Sequence, residues 1–261
     1  MGMPIAIVSE RISEDCKRAL TKIGFSVILC PSDPSLPAPI SHHPDTLMAV
    51  LDGALFCPKE YYLKNTDFFR ALSYPALYPL EEGYGASYPN DCAYNLLTIG
   101  KKAFYHPAAL APSLAEAVTA RGYSAVPTRQ GYTACTVCAL GGSHAITADA
   151  GMAKKLSARG ISVLKIESGS ILLPPYEYGF IGGACGVYKE TVYFLGDITA
   201  HPSYAAIKAF ADSIGFALCS LSDETLCDLG GILFLEQSTD EHADGGNNQQ
   251  TDKSEERIPG I

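Results

Sequence analysis

Residues 133–166 read TACTVCALGGSHAITADAGMAKKLSARGISVLKI. Residues 133–140 are β-prone and meet Gly141-Gly142, a turn pair that leads into a second short β-prone run at 144–147. Asp149 then stands where a helix N-cap belongs, and Met152, Ala153 and Leu156 share one face of the following stretch. Gly160 closes that helix, because glycine adopts the left-handed conformation past a helix end without a steric penalty. The β-prone run 161–166 follows at once. The stretch therefore predicts strand, strand, helix, strand.

The same order recurs outward from it. Gly24, Gly122 and Gly215 also close amphipathic stretches (13–23, 112–121 and 202–214), each followed directly by a β-prone run (25–30, 123–127 and 216–221). Pro112 and Pro202 suit a first helical turn, where the missing N–H goes unused. Gly24 and Gly122 are about twice as far apart as the later glycines, so one unit lies between them. Residues 61–72 and 76–80 supply its helix and strand, with Ser73 where the glycine would fall. Hairpins precede the helices at 46–51/54–57, 93–98/103–105, 133–140/144–147 and 186–188/191–195. The strand at 4–9 has no hairpin partner before it, and the strand at 231–236 has no helix after it. Pairing the two closes a ring of about five ββαβ units, an α/β propeller. Residues 1–237 form that unit. From Ser238 to Ile261 the chain is rich in Asp, Glu, Asn, Gln and Gly, the composition of a disordered polar tail.

The 261 residues carry a net charge of −9. That balance excludes a nucleic-acid binder, which needs a basic face to release counterions. It fits either a solvated acidic surface or an acidic pocket for a cationic small molecule. No apolar run is long enough to span a membrane, and the start lacks the pattern of a signal peptide. Nine cysteines in such a chain read as reduced thiols of a cytoplasmic protein.

Several segments carry a family resemblance: His43-Pro44-Asp45; Tyr88-Pro89-Asn90-Asp91 with Asn95; Gln130-Gly131-Tyr132 followed by Cys135; Tyr178-Gly179-Phe180-Ile181-Gly182-Gly183; and Ser222-Asp223-Glu224 with Asp228-Leu229-Gly230. With five ββαβ units, the chain resembles the pentein fold of guanidino-group-modifying enzymes over roughly residues 4–236. That group holds arginine deiminases, dimethylarginine hydrolases, agmatine deiminases and amidinotransferases, together with a non-enzymatic ribosome anti-association factor. The resemblance implies a cysteine nucleophile on the last repeat's strand, a histidine in an H-x-D motif, and carboxylates that hold the guanidinium. Here the last strand reads Ile232-Leu233-Phe234-Leu235, without cysteine, and Thr133-Ala134-Cys135 stands where H-x-D would fall. Both departures weigh against standard deiminase or amidinotransferase chemistry.

Equivalent strand starts in a ring face a common axis, so residues far apart in sequence can converge there. Asp45, Asp91, Cys135, Cys185 and Asp228 lie at or just before such starts, with Asn95 and His43 nearby. They either form a pocket for a guanidino or other cationic amino-acid-like molecule, or the carboxylates only satisfy turn N–H groups. Cys135 is the candidate nucleophile and His43 the candidate acid, on the expectation that Asp45 raises its pKa. Cys135-x-x-Cys138 falls on an expected strand, where the two thiols face opposite sides and no second pair follows. No metal site and no cofactor site is therefore read. The glycines at 182–186 lack the strand–loop–helix order of a dinucleotide loop. Two functions compete: binding or hydrolytic conversion of a cationic small molecule through non-standard residues, and a non-enzymatic module that docks a protein or other macromolecular partner.

Overall fold

The computed structural model describes residues 2–236, so the polar segment 238–261 lies outside the described residues. The chain begins with β1 (Ile5–Ser9), α1 (Glu14–Ile23) and β2 (Ser26–Cys30). The next unit holds α2 (Pro44–Leu47), β3 (Ala49–Leu51), β4 (Ala54–Pro58), α3 (Lys59–Lys64), α4 (Thr66–Leu72) and β5 (Leu77–Leu80). β6 (Leu97–Ile99), β7 (Lys102–Tyr105), α5 (Pro112–Ala120) and β8 (Ser124–Pro127) make the third. The fourth is α6 (Thr133–Thr136), β9 (Val137–Leu140), β10 (His144–Thr147), α7 (Ala150–Ser157) and β11 (Ser162–Lys165). β12 (Cys185–Tyr188), β13 (Thr191–Phe194), α8 (Tyr204–Ser213) and β14 (Ala217–Ser220) form the last whole unit, and β15 (Leu233–Leu235) ends the described chain.

These strands form five three-stranded sheets of one pattern: β3-β4-β5, β6-β7-β8, β9-β10-β11, β12-β13-β14 and β15-β1-β2. In each, the inner and middle strands pair antiparallel, and the middle and outer strands pair parallel across a helical crossover. The fifth sheet is closed by the two ends of the fold, with Ile5 opposite Leu235 and Ile7 opposite Leu233.

The hydrophobic core is divided into five wedges between neighbouring sheets, and the middle strands explain why. Along β1, Ile5 and Ile7 point into the wedge shared with β4, whereas Ala6 and Val8 point into the wedge shared with β13. Phe56 of β4 and Ala103 of β7 meet in the next wedge, Phe104 and Ala145 in the next, and Ile146 and Phe194 in the fifth. Successive side chains of a strand face opposite ways, so a strand between two wedges carries apolar residues at consecutive positions in its centre. Five wedges in cyclic succession make a ring.

The punctuation matches the expectations. Asp149 caps α7 by accepting from Met152 N–H at 2.8 Å. Gly24, Gly122, Gly160 and Gly215 all take positive φ, and Ser73 takes the same left-handed conformation, at φ 46°, in the unit without a glycine. Four local expectations are corrected. Residues 46–47, 93–96 and 133–136 are not strand but turns of helix or loop that precede the inner strands, and α8 begins at Tyr204, not at Pro202. Cys135 accordingly sits on a helical turn and only Cys138 lies on β9. No helix among the described residues is long and apolar enough to cross a membrane. None of the nine cysteines is in a disulfide.

Candidate functional site

The turns that enter the inner strands carry the polar residues. His43 precedes the single turn of α2, with Asp45 inside it, and Cys135 occupies the equivalent turn α6 before β9. Thr133 fixes α6 by donating its buried hydroxyl to the carbonyls of Asn95 (3.1 Å) and Phe104 (3.0 Å). That tertiary anchoring overrides the β-propensity of the segment.

Asn95 is the hub. Its Oδ1 accepts from the Ala134 N–H at 2.7 Å, which orients the amide. Its Nδ2 therefore faces the other way and donates to the Asp45 carbonyl (3.0 Å) and to Cys135 Sγ (3.2 Å). A donor aimed at sulfur favours the thiolate. Burial and the nearby Asp45 and Asp228 carboxylates act more strongly in the opposite sense and hold the Cys135 thiol well above the ordinary thiol value.

Asp228 is held from the closing segment, accepting from Phe180 N–H (2.9 Å) and Gly230 N–H (3.2 Å). Burial, reinforced by the charge of Asp45, pushes its carboxyl up to about 7. Asp45 is pushed up to about 6 by burial, against hydrogen bonds with Cys135, Thr46 and Asn95. His43 Nδ1 lies 3.7 Å from Asp228 Oδ1, beyond a hydrogen bond, and neither ring nitrogen has a hydrogen-bond partner. The histidine was expected to be raised by Asp45. Instead burial, together with His42, holds it well below the usual imidazole value, and its nearest carboxylate is Asp228. A neutral imidazole carries one free nitrogen lone pair and takes up a proton more readily than it gives one.

A cavity of about 600 Å³ opens above this cluster. His43, Asp91, Cys135 and Asp228 line it, with Tyr88, Tyr132, Tyr176, Tyr178 and Phe180 as aromatic walls. Asp91 is fixed there by the Tyr132 hydroxyl, which donates to Oδ2 at 2.7 Å. The structure thus gathers His43, Asp45, Asn95, Cys135 and Asp228 into one buried cluster and sets Asp91 in the same cavity. Cys185 is not among them. It lines a smaller cavity of about 280 Å³ between the inner strands, with Cys138 and one side of Asp45. A hydrogen bond with Cys138, then burial, raises its thiol well above the ordinary value.

Two contributors lie outside the site residues expected from the sequence, although Tyr132 belongs to the Gln130-Gly131-Tyr132 segment that carries the family resemblance. His42, whose Nδ1 lies 2.8 Å from the buried Ser9 hydroxyl, packs its ring edge-on against His43. Tyr132 meets Asp91 across two repeats.

Five such sheets around a polar axis are the pentein fold. Solved structures agree. The dimethylarginine dimethylaminohydrolase of Pseudomonas aeruginosa, in a cysteine-to-serine mutant complexed with citrulline, superposes with a TM-score of 0.52 at 12% identity, covering 84% of this chain and 91% of that one. An adduct of dimethylarginine dimethylaminohydrolase with S-methyl-L-thiocitrulline gives 0.52 at 14% identity, over 84% and 92%. The inosamine-phosphate amidinotransferase of Streptomyces griseus gives 0.53 at 12%, over 88% and 91%. Residues 7–233 match the model of DUF6873, a family of unknown function, and the chain belongs to that family. No curated protein matches it.

Proposed function

We propose that the cavity binds a guanidino or similarly cationic amino-acid-like small molecule, and that Cys135 converts it hydrolytically. The observation that carries this reading is the convergence of one thiol, one unpartnered imidazole and two buried carboxylates beneath an aromatic-walled cavity. A guanidinium placed against Asp228 and Asp91 offsets the carboxylate charge that opposes thiolate formation at Cys135. Its planar carbon then stands before the sulfur. In the reaction, Sγ bonds to that carbon while the thiol proton passes to His43 or Asp45. The amine leaves with a proton, and water displaces the thiol to give a urea-type product and free Cys135. Pentein neighbours whose names describe guanidino chemistry support the substrate class by analogy of fold.

The test is a thermal-shift screen of arginine, agmatine and related amines, followed by product analysis. Binding should stabilise the wild type and weaken in Asp91→Asn, and turnover should vanish in Cys135→Ala while binding remains. Turnover that persists in Cys135→Ala overturns the nucleophile. Failure of every amine to bind overturns the pocket and leaves the macromolecular docking function.

A further inference from the structure

We propose that Cys135, His43 and Asp45 form a site for one thiophilic divalent cation of the zinc class, with solvent completing its coordination. One ligand atom from each of the three lies within 4.8 Å of the others, and all three residues are buried. A tetrahedral zinc ion, with bonds of roughly 2.0–2.3 Å, needs its donors about 3.3–3.8 Å apart.

The independent observation is His43 itself. It is 1% exposed and lines the cavity, and both of its ring nitrogens lack a hydrogen-bond partner. A buried polar atom left unpaired is unfavourable, and buried groups of this kind are ordinarily satisfied. A metal ion at the centre of the cluster gives one nitrogen a lone-pair acceptor.

The donor set selects the ion. Sulfur and imidazole disfavour calcium and magnesium, which take oxygen ligands, and favour zinc-like ions. An outer layer is also in place, because Asn95 Nδ2 donates to Cys135 Sγ and the Ala134 N–H orients that amide. The ligands come from two different repeats, so no C-x-x-C or H-x₃-H spacing announces the site. Cys138, the other half of the C-x-x-C, is turned away toward Cys185. On binding, the Cys135 thiol releases its proton to solvent as the sulfur–metal bond forms, and His43 binds as the neutral imidazole. No electron is transferred. The inference stands apart from the proposed function. Because both use Cys135 Sγ, bound metal and attack on a guanidino carbon exclude each other.

The experiment titrates metal-free full-length protein with Co²⁺ and then Zn²⁺, in the absence of any amine. Expected are one Co²⁺ per chain, visible bands of a four-coordinate ion, a near-ultraviolet sulfur-to-cobalt charge-transfer band, and displacement by one Zn²⁺. Cys135→Ser should abolish the charge-transfer band, and Asn95→Ala should weaken binding by about 10- to 100-fold. Independently of any variant, one equivalent of Zn²⁺ should protect Cys135 of the wild type from iodoacetamide, as mapped by mass spectrometry. A charge-transfer band that survives in Cys135→Ser, cobalt bound without such a band, absence of binding, or unprotected Cys135 would each overturn the site. None of these readings depends on amine turnover, so either proposal can fail alone.

Discussion

Asp228 fills the space in which a side chain on Gly183 would stand. A Cβ built on Gly183 overlaps the Asp228 carboxylate, and the Gly183 carbonyl also accepts from Leu229 N–H (2.9 Å) and Gly231 N–H (2.7 Å). The glycine therefore seats the whole closing segment against β12. Gly183→Ala should lower stability by about 1–3 kcal/mol through overpacking and shift Asp228 out of the cluster. Denaturant unfolding measures the first effect and amine binding the second. An alanine variant unchanged in both would mean that Asp228 is free to move without consequence.

The orientation of Asn95 gives a second prediction. In Asn95→Asp one oxygen still accepts from Ala134 N–H, but an acceptor replaces the donor that faces Cys135 Sγ and the Asp45 carbonyl. An additional carboxylate, buried beside Asp45 and Asp228, should reduce stability by roughly 1–3 kcal/mol and slow alkylation of Cys135. Iodoacetamide labelling mapped to Cys135 checks it. Faster labelling in the variant would show that the amide does not support the thiolate.

The features legible in the sequence were those set by local chemistry. Asp149 and Gly160 bound a helix by capping alone, so the helix and outer strand of the 133–166 unit read correctly, and even the glycine-free unit is betrayed by Ser73, which adopts the left-handed turn. The β-propensity of threonine predicts strand over Thr133–Thr136, whereas the hydroxyl of Thr133 is anchored on Asn95 and Phe104 from the neighbouring unit. His43 was paired with its sequence neighbour Asp45, yet its nearest carboxylate is Asp228, brought alongside only by ring closure. A ring shows which turns will converge. It does not show which side chains meet there, because each meeting depends on two loops at once.

The raised carboxyl of Asp228 makes a pH prediction. Its folded value of about 7 lies above its ordinary value of 3.8, so between these the folded state binds more protons than the unfolded chain. Stability from this group is therefore full below about pH 4 and lost as the pH rises toward 7. Asp45, raised to about 6, acts in the same direction over a narrower window. His43, held low by burial, acts oppositely and favours the fold as the pH rises through its unfolded value near 6.5. These trends partly cancel in the wild type, so the clean measurement is a difference. Asp228→Asn removes one titration, and its stability relative to wild type should improve by up to a few kcal/mol between pH 4 and 7. Unfolding curves at several pH values provide the test, and a difference that stays flat or declines would place Asp228 in an ordinary carboxylate range.

Closure of the ring separates two truncations that differ by only a few residues. Among the described residues β15 is the sole antiparallel partner of β1, and Leu235 completes the wedge that holds Ile5 and Leu55, while Ile232 enters the wedge of Val8 and Tyr193. Phe234 adds ring contacts at 4.8 Å to Phe25, 5.4 Å to Tyr188 and 5.7 Å to Tyr193. Deleting residues 231–261 removes these side chains, each of which is worth about 2–5 kcal/mol when lost from a packed core. The deletion also exposes the edge of β1 to intermolecular pairing. That chain should fail to fold cooperatively or should aggregate. Deleting residues 238–261 removes a polar segment with few apolar anchors, and the melting temperature should stay within about 2 °C of the full chain. Thermal melts of the two truncated proteins against the full chain decide both points. A cooperative melt from the chain ending at Gly230 would mean that β15 does not close the ring energetically, and a large drop on losing residues 238–261 would mean that the polar segment contributes to the folded state.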